Sequence, residues 1–538
     1  MVDFSLECCI PTTTKTHNIM TTTESHILVD FGTILENCVI AVALLLTGIT
    51  LRYGFIYYKR MRRMMAMLNS FNQVPTKPII GSIHLFTGNM RERFRKMVAL
   101  SKQYEFPFVA WLMNVPIVFI GKCDDIQIVL NKSNDRDLQG VFEKIFCEGL
   151  IGLHGEQWRK SRRITISAFT PIMLSRYFSV FDEYAALLTK KLEKLCDTDE
   201  VFNIANYVFT IHLSSTVRNL AGYEIEPWSN ESKQFVDAMT KCFQMEIKRF
   251  ANPLLFFNVL YEIYLFITGN RKMYEIIHQL PRKIVQNRLA KYSMKGAPQY
   301  DGTSPSTNVS NSKLLIDSVL QRHATDVNFK EKNICDELLN LMIGGFESTG
   351  LVTSFMLLML AMHQEAQEKV YHEIKTIYAH DGQEVQMEDL KKLVYMEQCI
   401  NETLRKFPFI ATDTRIHDED IVLNNDRVIP AGCQIFLQFY DCHHDKEFFP
   451  NADNWDPEHF APERKNIYKQ AFFPFAGGLR SCVGSRYSMM SLKIQFVHLL
   501  RRYRFSTEMK MQDIHLISDL AVRNDTGYWL KIHSRQKN

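Results

Sequence analysis

Phe475-Ala476-Gly477-Gly478-Leu479-Arg480-Ser481-Cys482-Val483-Gly484, near the C-terminal end, sets one cysteine among glycines, an aromatic ring and an arginine. A cysteine thiolate serving as a metal ligand has to be guarded from protonation, oxidation and water. Gly478 and Gly484 are expected to take positive φ angles or to let backbone approach closely, which a side chain would block. Phe475 can roof the sulfur, and Arg480 can reach a buried carboxylate. Downstream, Val483, Tyr487, Met490, Ile494 and Val497 recur at helical spacing. Cys482 therefore sits near a helix N-terminus, whose unpaired N–H groups favour a thiolate. These parts suit a sulfur bonded to heme iron, an arrangement that pushes electron density onto the metal.

The complete pattern F-x-x-G-x-R-x-C-x-G resembles the signature of the cytochrome P450 superfamily of heme-thiolate monooxygenases. The resemblance implies the fold of that superfamily, heme b bound through Cys482, and cofactor contacts from Phe475, Gly478, Arg480 and Gly484. Read alone, Cys482 would be one buried thiol among the twelve cysteines of the chain.

Composition narrows the partners. The chain has 538 residues and a net charge of +4, and its basic runs at 59–63, 91–96 and 159–163 lie far apart in sequence, so no nucleic-acid partner is expected. The cysteines show no C-x-x-C spacing, so neither a disulfide framework nor a zinc module is indicated, and a reducing compartment is expected. Sequons at Asn131, Asn230, Asn308, Asn401 and Asn524 are read as chance matches in a cytosolic domain.

An apolar run over 39–51, extended on both sides, sets a single transmembrane signal anchor over 34–58 behind a short lumenal segment, 1–33. Its charge-free core is shorter than the roughly 20 residues of a full span, which makes a cleaved signal peptide the competing reading. Lys59, Arg60, Arg62 and Arg63 follow at once, so the positive-inside rule leaves the bulk of the chain in the cytosol. Pro75 and Pro78 then oppose helix continuation, giving a basic, proline-rich hinge over 59–81 and a catalytic domain over 82–538.

The rest reads as mainly α with a smaller β region. Short β-rich runs occur between 91 and 130, helical texture dominates afterwards, and 293–313, rich in Gly, Pro, Ser, Thr and Asn, reads as an exposed loop. After Phe407-Pro408 the texture turns to β, with apolar runs at 421–423 and 428–437. An apolar helix over 338–362, interrupted at 344–349, could pass for a second membrane span, but an acid in its middle argues against that.

Three further constellations gain meaning from the resemblance. Glu402 and Arg405 stand at i, i+3 on a helix, a spacing that usually makes a solvated surface pair. The superfamily has such a pair bracing the heme-side core with a basic residue from a P-E-R-F-like segment. Here that segment reads Pro457-Glu458-His459-Phe460, so His459, or Arg464 nearby, is the third member. Gly344-Gly345-Phe346-Glu347-Ser348-Thr349 resembles the oxygen-activation motif, with serine where threonine is usual. It implies proton delivery by Glu347 with Ser348 or Thr349. Trp158 and Arg162 match a W-x-x-x-R element that binds a heme propionate, and Arg415 is a further candidate.

Segments at 152–169, 252–255, 267–270 and 363–374 resemble family 4 of the superfamily, a microsomal type with many arthropod members. In many of those enzymes a glutamate at the position of Gly344 forms an ester with heme, so the heme here is expected to be held without a covalent link. The resemblance implies a membrane-bound monooxygenase of the endoplasmic reticulum. It would act on an apolar fatty acid, other lipid, hormone or xenobiotic, with electrons from NADPH-cytochrome P450 reductase and an auxiliary role for cytochrome b5. Arg464, Lys465, Lys469 and Arg486 are candidates for docking the reductase. Two other readings are a heme-thiolate isomerase or dehydratase of lipid hydroperoxides, and a non-catalytic heme- or lipid-binding protein.

Overall fold

Burial separates the two long apolar helices of this chain. A computed structural model describes residues 20–132, 135–136, 142–295, 314–379 and 383–535. Most of the expected loop at 293–313, and residues 1–19 of the expected lumenal segment, lie outside them. An N-terminal unit ends at Met67 and a second runs from Leu68. In the first, helix Met20–Leu68 contains the segment Thr33–Leu68, long and apolar enough to cross a bilayer, with none of its most apolar window buried. The helix continues through Lys59, Arg60, Arg62 and Arg63, past the boundary expected at 58. Lysine and arginine are good helix formers, so a basic cluster does not by itself end a helix. The helix ends in a turn at 69–71, and around Pro78 Lys77 and Gly81 exchange backbone hydrogen bonds of 2.8 and 2.9 Å. Gly81 is left-handed there, and a Cβ on it would strike the Trp111 carbonyl.

The second long apolar helix, Glu331–Met362, has 78% of its most apolar window buried, so it is the axis of the helical core and not a membrane span. It is continuous through 344–349, where the sequence suggested a break. Glycines in this helix serve close packing. A Cβ on Gly345 would stand 2.5 Å from Thr216 Cγ2, and one on Gly350 would stand 2.9 Å from Phe209 Cδ1, both on helix Ala205–Ala221. The main-chain hydrogen bonds are kept because the facing helix, and not solvent, covers the glycine backbone.

Helix Ser485–Arg502 buries Tyr487, Met490, Ile494 and Val497, the face expected from their spacing. Helix Val394–Lys406 stops before Phe407-Pro408, whose proline disfavours helical backbone in the residue before it. Phe407 then stacks on Phe355 of the central helix, ring centroids 4.1 Å apart.

The β region comprises small sheets. The largest is five-stranded in the order 72–73, 108–112, 115–120, 434–438, 412–415, with 115–120 and 434–438 parallel. Ile421–Val422 and Val428–Ile429 pair as a separate antiparallel hairpin. Cys123 and Cys442 form a disulfide across 319 residues, with Cα atoms 5.7 Å apart. Spacing had pointed to no disulfide framework, and a pair joined only by tertiary packing leaves no trace in spacing.

Replacing Gly345 by alanine is expected to destabilise the fold by about 1–3 kcal/mol, the usual cost of overpacking a tight helix contact. Guanidinium unfolding of Gly345→Ala beside Gly345→Ala/Thr216→Ser checks this, because the smaller partner should recover much of the loss.

Candidate functional site

The cysteine loop is held by its own backbone. Cys482 N–H donates to the Phe475 carbonyl at 2.9 Å, Ala476 N–H to Phe473 at 3.1 Å, and Ser481 N–H to Gly478 at 3.2 Å. Gly478 has φ 64°, and a Cβ there would collide with the Leu130 carbonyl, so no other residue fits. Gly484 differs from expectation. Its φ is −93°, an ordinary value, and a Cβ on it would lie 3.9 Å from the Cys482 sulfur. The second left-handed residue of the loop is Ala476, at φ 53°.

The sulfur opens onto an interior cavity of about 230 Å³. Cys482 is exposed to this internal space while enclosed by protein. Burial raises its thiol pKa, while the Gly484 N–H, Arg162 and Arg136 pull it the other way. A lasting thiolate here needs a cation on the sulfur itself.

The rest of the wall fits an iron porphyrin with two carboxylates. Trp158, Arg162, Arg480 and Arg136 all line the cavity. Arg480 lies 3.9 Å from the Trp158 ring centroid and donates to Asp135 at 3.1 Å and to the Leu153 carbonyl at 2.8 Å. Arg162 reaches Ser481 Oγ at 3.5 Å. Arg415 is not on the wall. It pairs with Asp413 at 2.5 Å, and Asp413 also faces Arg136 at 3.3 Å. The buried Nε and Nη2 of Arg415 have no hydrogen-bond partner. Around this corner Arg136, Arg162, Arg415 and Arg480 gather, with Asp413 facing both Arg136 and Arg415 and Asp135 paired with Arg480. Burial lowers the pKa of Arg162 and Arg415 and takes Arg480 to about 10. Two buried carboxylates would relieve this. Arg136 was absent from the sequence reading, because an arginine among acids without periodicity looks like a solvated loop.

The central helix contributes Gly344, Gly345, Ser348 and Thr349 to the wall. Ser348 Oγ donates to the Gly344 carbonyl at 2.7 Å and Thr349 Oγ1 to Gly345 at 2.5 Å. Glu347, expected beside them as a proton source, is not on the wall. Its buried carboxylate binds Arg523, which also holds Asp519 at 2.9 Å. Burial raises the Glu347 pKa, and Arg523 opposes the rise. Successive helical residues point in different directions, so Ser348 and Glu347 share a motif without sharing a cavity.

Glu402 and Arg405 are fully buried. Arg405 Nε and Nη2 donate to the two carboxylate oxygens at 2.7 Å each. The remaining guanidinium hydrogens go to the carbonyls of His443, Ala452 and Asn454 at 2.9–3.0 Å. His459 Nδ1 lies 3.2 Å from both Glu402 oxygens, and its Nε2 lies 2.6 Å from the Pro450 carbonyl. Arg464, the other candidate, donates instead to the Phe448 carbonyl at 2.9 Å. His443 extends the network, accepting the Phe473 N–H on Nε2 at 2.9 Å, two hydrogen bonds from Ala476 in the cysteine loop. Within Asp441-Cys442-His443-His444-Asp445 no spacing singled it out.

The Cytochrome P450 family model matches residues 73–531. The chain is 26% identical to cytochrome P450 4V2 of Homo sapiens over 467 residues, covering 85% of this chain and 88% of the human protein. It is 27% identical to cytochrome P450 4c21 of Blattella germanica over 482 residues, covering 88% and 95%. With cytochrome P450 4g1 of Drosophila melanogaster the identity is 24% over 511 residues, covering 89% and 92%.

His443 makes the site acid-sensitive. Burial lowers its pKa from 6.5 to about 3, so the unfolded chain binds one more proton across that window. Stability is then complete above about pH 6.5 and falls, by up to about 1.4 kcal/mol per pH unit, as pH drops. His443→Gln keeps an acceptor for Phe473 N–H without a titrating ring. Its unfolding free energy should fall less steeply between pH 6.5 and 4.5, by about one proton, in denaturant titrations of the heme-loaded protein.

Proposed function

Because the chain belongs to the cytochrome P450 family of heme-thiolate oxidoreductases, we propose that it inserts one oxygen atom of O2 into an apolar substrate at the endoplasmic reticulum membrane. In this reading helix Met20–Leu68 is the single anchor, with its N-terminal end in the lumen. Electrons come from NADPH through NADPH-cytochrome P450 reductase, with cytochrome b5 as auxiliary donor. The observation that carries the proposal is the Cys482 sulfur opening onto a cavity whose wall also carries Trp158, Arg136, Arg162 and Arg480.

Bound heme b would supply the iron and the redox chemistry of oxygen activation. The residues of this chain hold and shape the site around it. Cys482 would hold the iron through its sulfur, with its loop pinned through Phe475 and Gly478. Trp158, Arg162 and Arg136 receive the carboxylates, with Arg415 behind them and Arg480 steadying Trp158. Ser348 and Thr349 are the proton-handling hydroxyls at the wall, each able to exchange its helix carbonyl for a water. Glu347 sets their position by clamping the helix to Arg523. Exposed Lys465, Lys469 and Arg486 offer positive charge for an acidic reductase surface, whereas Arg464 is engaged within the fold.

Leu150, Ile151, Leu341, Val352 and Phe409 make the cavity apolar, which favours an apolar substrate. A second apolar cavity, of about 230 Å³, includes Phe86, Phe119 and Phe436. The segment 142–151 walls both, with Phe142 on the second and Leu150 and Ile151 on the first. Arg93 lines the second cavity, and its buried Nε and Nη1 have no hydrogen-bond partner. Among the apolar classes, this favours a fatty acid whose carboxylate meets Arg93.

In vesicles with reductase and NADPH, the protein should consume NADPH and release an oxygenated product, and Cys482→Ala should lose both this activity and the CO-complex absorption of a thiolate-ligated heme. Arg93→Gln should raise KM for a long-chain fatty acid about tenfold to a hundredfold, the value of one charge-assisted hydrogen bond, and leave its methyl ester unchanged. Equal KM values would remove the fatty-acid assignment. Reductase-independent conversion of lipid hydroperoxides would instead favour the isomerase or dehydratase reading, and heme binding without turnover a carrier.

Gly344 faces the cavity, and a Cβ on it would meet nothing within 4 Å. Having no carboxylate there, the protein should release all its heme into acidic organic solvent, while Gly344→Glu should retain a measurable fraction on the denatured chain.

A further inference from the structure

Cys147, His278 and Asp336 come from three separate parts of the chain, the turn after helix Glu143–Phe146, helix Arg271–Lys295 and the central helix. One ligand atom of each lies within 4.8 Å of the others. Cys147 Sγ is 3.9 Å from His278 Nε2, and the Lys144 carbonyl oxygen is 3.0 Å from that nitrogen and 3.5 Å from the sulfur. A tetrahedral zinc with bonds of about 2.0–2.3 Å spaces its donors about 3.3–3.8 Å apart. Small side-chain rotations therefore suffice to close the group around an ion.

Three observations favour a ligand. Cys147 is a non-glycine residue at φ 45° and ψ −132°, a costly conformation held by a 2.8 Å hydrogen bond from its N–H to the Glu143 carbonyl. Burial disfavours the charged form of His278, so moving its single ring proton from Nε2, which donates to the Lys144 carbonyl, to Nδ1 frees a lone pair for a metal. Asp336 is buried, and its nearby cation, Lys332, is a mostly exposed side chain 3.3 Å away that can swing into solvent. None of the three residues lines the cavity of Cys482.

We propose that Cys147, His278 and Asp336 bind one thiophilic divalent cation of the zinc type, with the Lys144 carbonyl or a water in the fourth position. Binding takes the sulfur as thiolate and the ring as its Nδ1–H tautomer. The Cys147 proton leaves to solvent, so about one proton is released per ion. Burial and Asp336 raise that thiol to about 12 in the absence of a cation, which ties affinity to pH. The ion would staple the segment carrying Leu150 and Ile151, two wall residues of the Cys482 cavity, to two helices of the core.

The test is calorimetric titration of Zn2+ into the heme-loaded, chelator-washed full chain in two buffers of different ionisation enthalpy. Expected are one ion per chain with Kd at or below about 1 µM, release of about one proton, and at least tenfold weaker binding in Cys147→Ser and in Asp336→Asn. Cys335→Ser, at a neighbouring thiol outside the group, should bind as the wild type does. Heme content reports that each variant has folded. In the unaltered protein, Zn2+ should protect Cys147 from alkylation as mapped by mass spectrometry. Equal affinity in Cys147→Ser, or undiminished alkylation of Cys147 at saturating Zn2+, would overturn the site.

Discussion

The pairing of Glu402 with Arg405, both without solvent exposure, is the constraint on which the heme-side half of the fold depends. Burying two charges is expensive, and their mutual attraction offsets the cost only when every remaining donor and acceptor is satisfied. Here the guanidinium reaches carbonyls of residues 443, 452 and 454, and the carboxylate takes the Asp456 N–H at 2.8 Å as well as His459. Ala452, Asn454 and Asp456 lie on irregular backbone with no ladder of its own, between the short helical turns that carry His443 and His459. The ion pair thus organises a stretch that neither helix nor sheet could hold, and His443 passes the order on to Phe473 and the cysteine loop.

How much of this was legible depended on whether a role is written in local order. The helix after Cys482, the stop at Pro408 and the glycine at 478 follow from periodicity and backbone sterics, and the structure agrees. Pairing of Glu402 with Arg405 was readable from i, i+3 spacing, and His459 from the segment in which it replaces arginine. Arg136, His443 and Arg523 were not readable, because each acts on a partner 30 to 277 residues away that only the folded chain brings near. The Cys123–Cys442 bridge and the Cys147 group are hidden for the same reason. Glu347 shows the opposite failure. Its motif was recognised, but motif order says nothing about which side of a helix faces which neighbour.

That placement divides the work of the central helix. Gly344, Gly345, Ser348 and Thr349 face the cavity, and Glu347 faces Arg523 and Asp519 behind it. A carboxylate on the wall would add negative charge beside a thiolate and two propionates. Held by Arg523, it instead ties the helix to the strand pair Leu516–Ser518 and Val522–Asn524. The wall keeps only the neutral hydroxyls of Ser348 and Thr349 there, which can turn without changing the charge of the site.

The two halves of the cavity answer one electrostatic problem. Proximal to the cysteine, a thiol is buried where its ionised form is disfavoured. Near Trp158, guanidinium groups cluster, and the buried Nε and Nη2 of Arg415 have no hydrogen-bond partner. Neither arrangement is comfortable alone, and both are resolved by a single occupant with a cation at its centre and two anions at its edge. The strain of the protein without that occupant becomes the selectivity of the protein for it, since a neutral planar ligand of equal size would leave both charges uncompensated. Affinity for heme and the shape of the active site thus have a common origin in charges that the fold buries in advance.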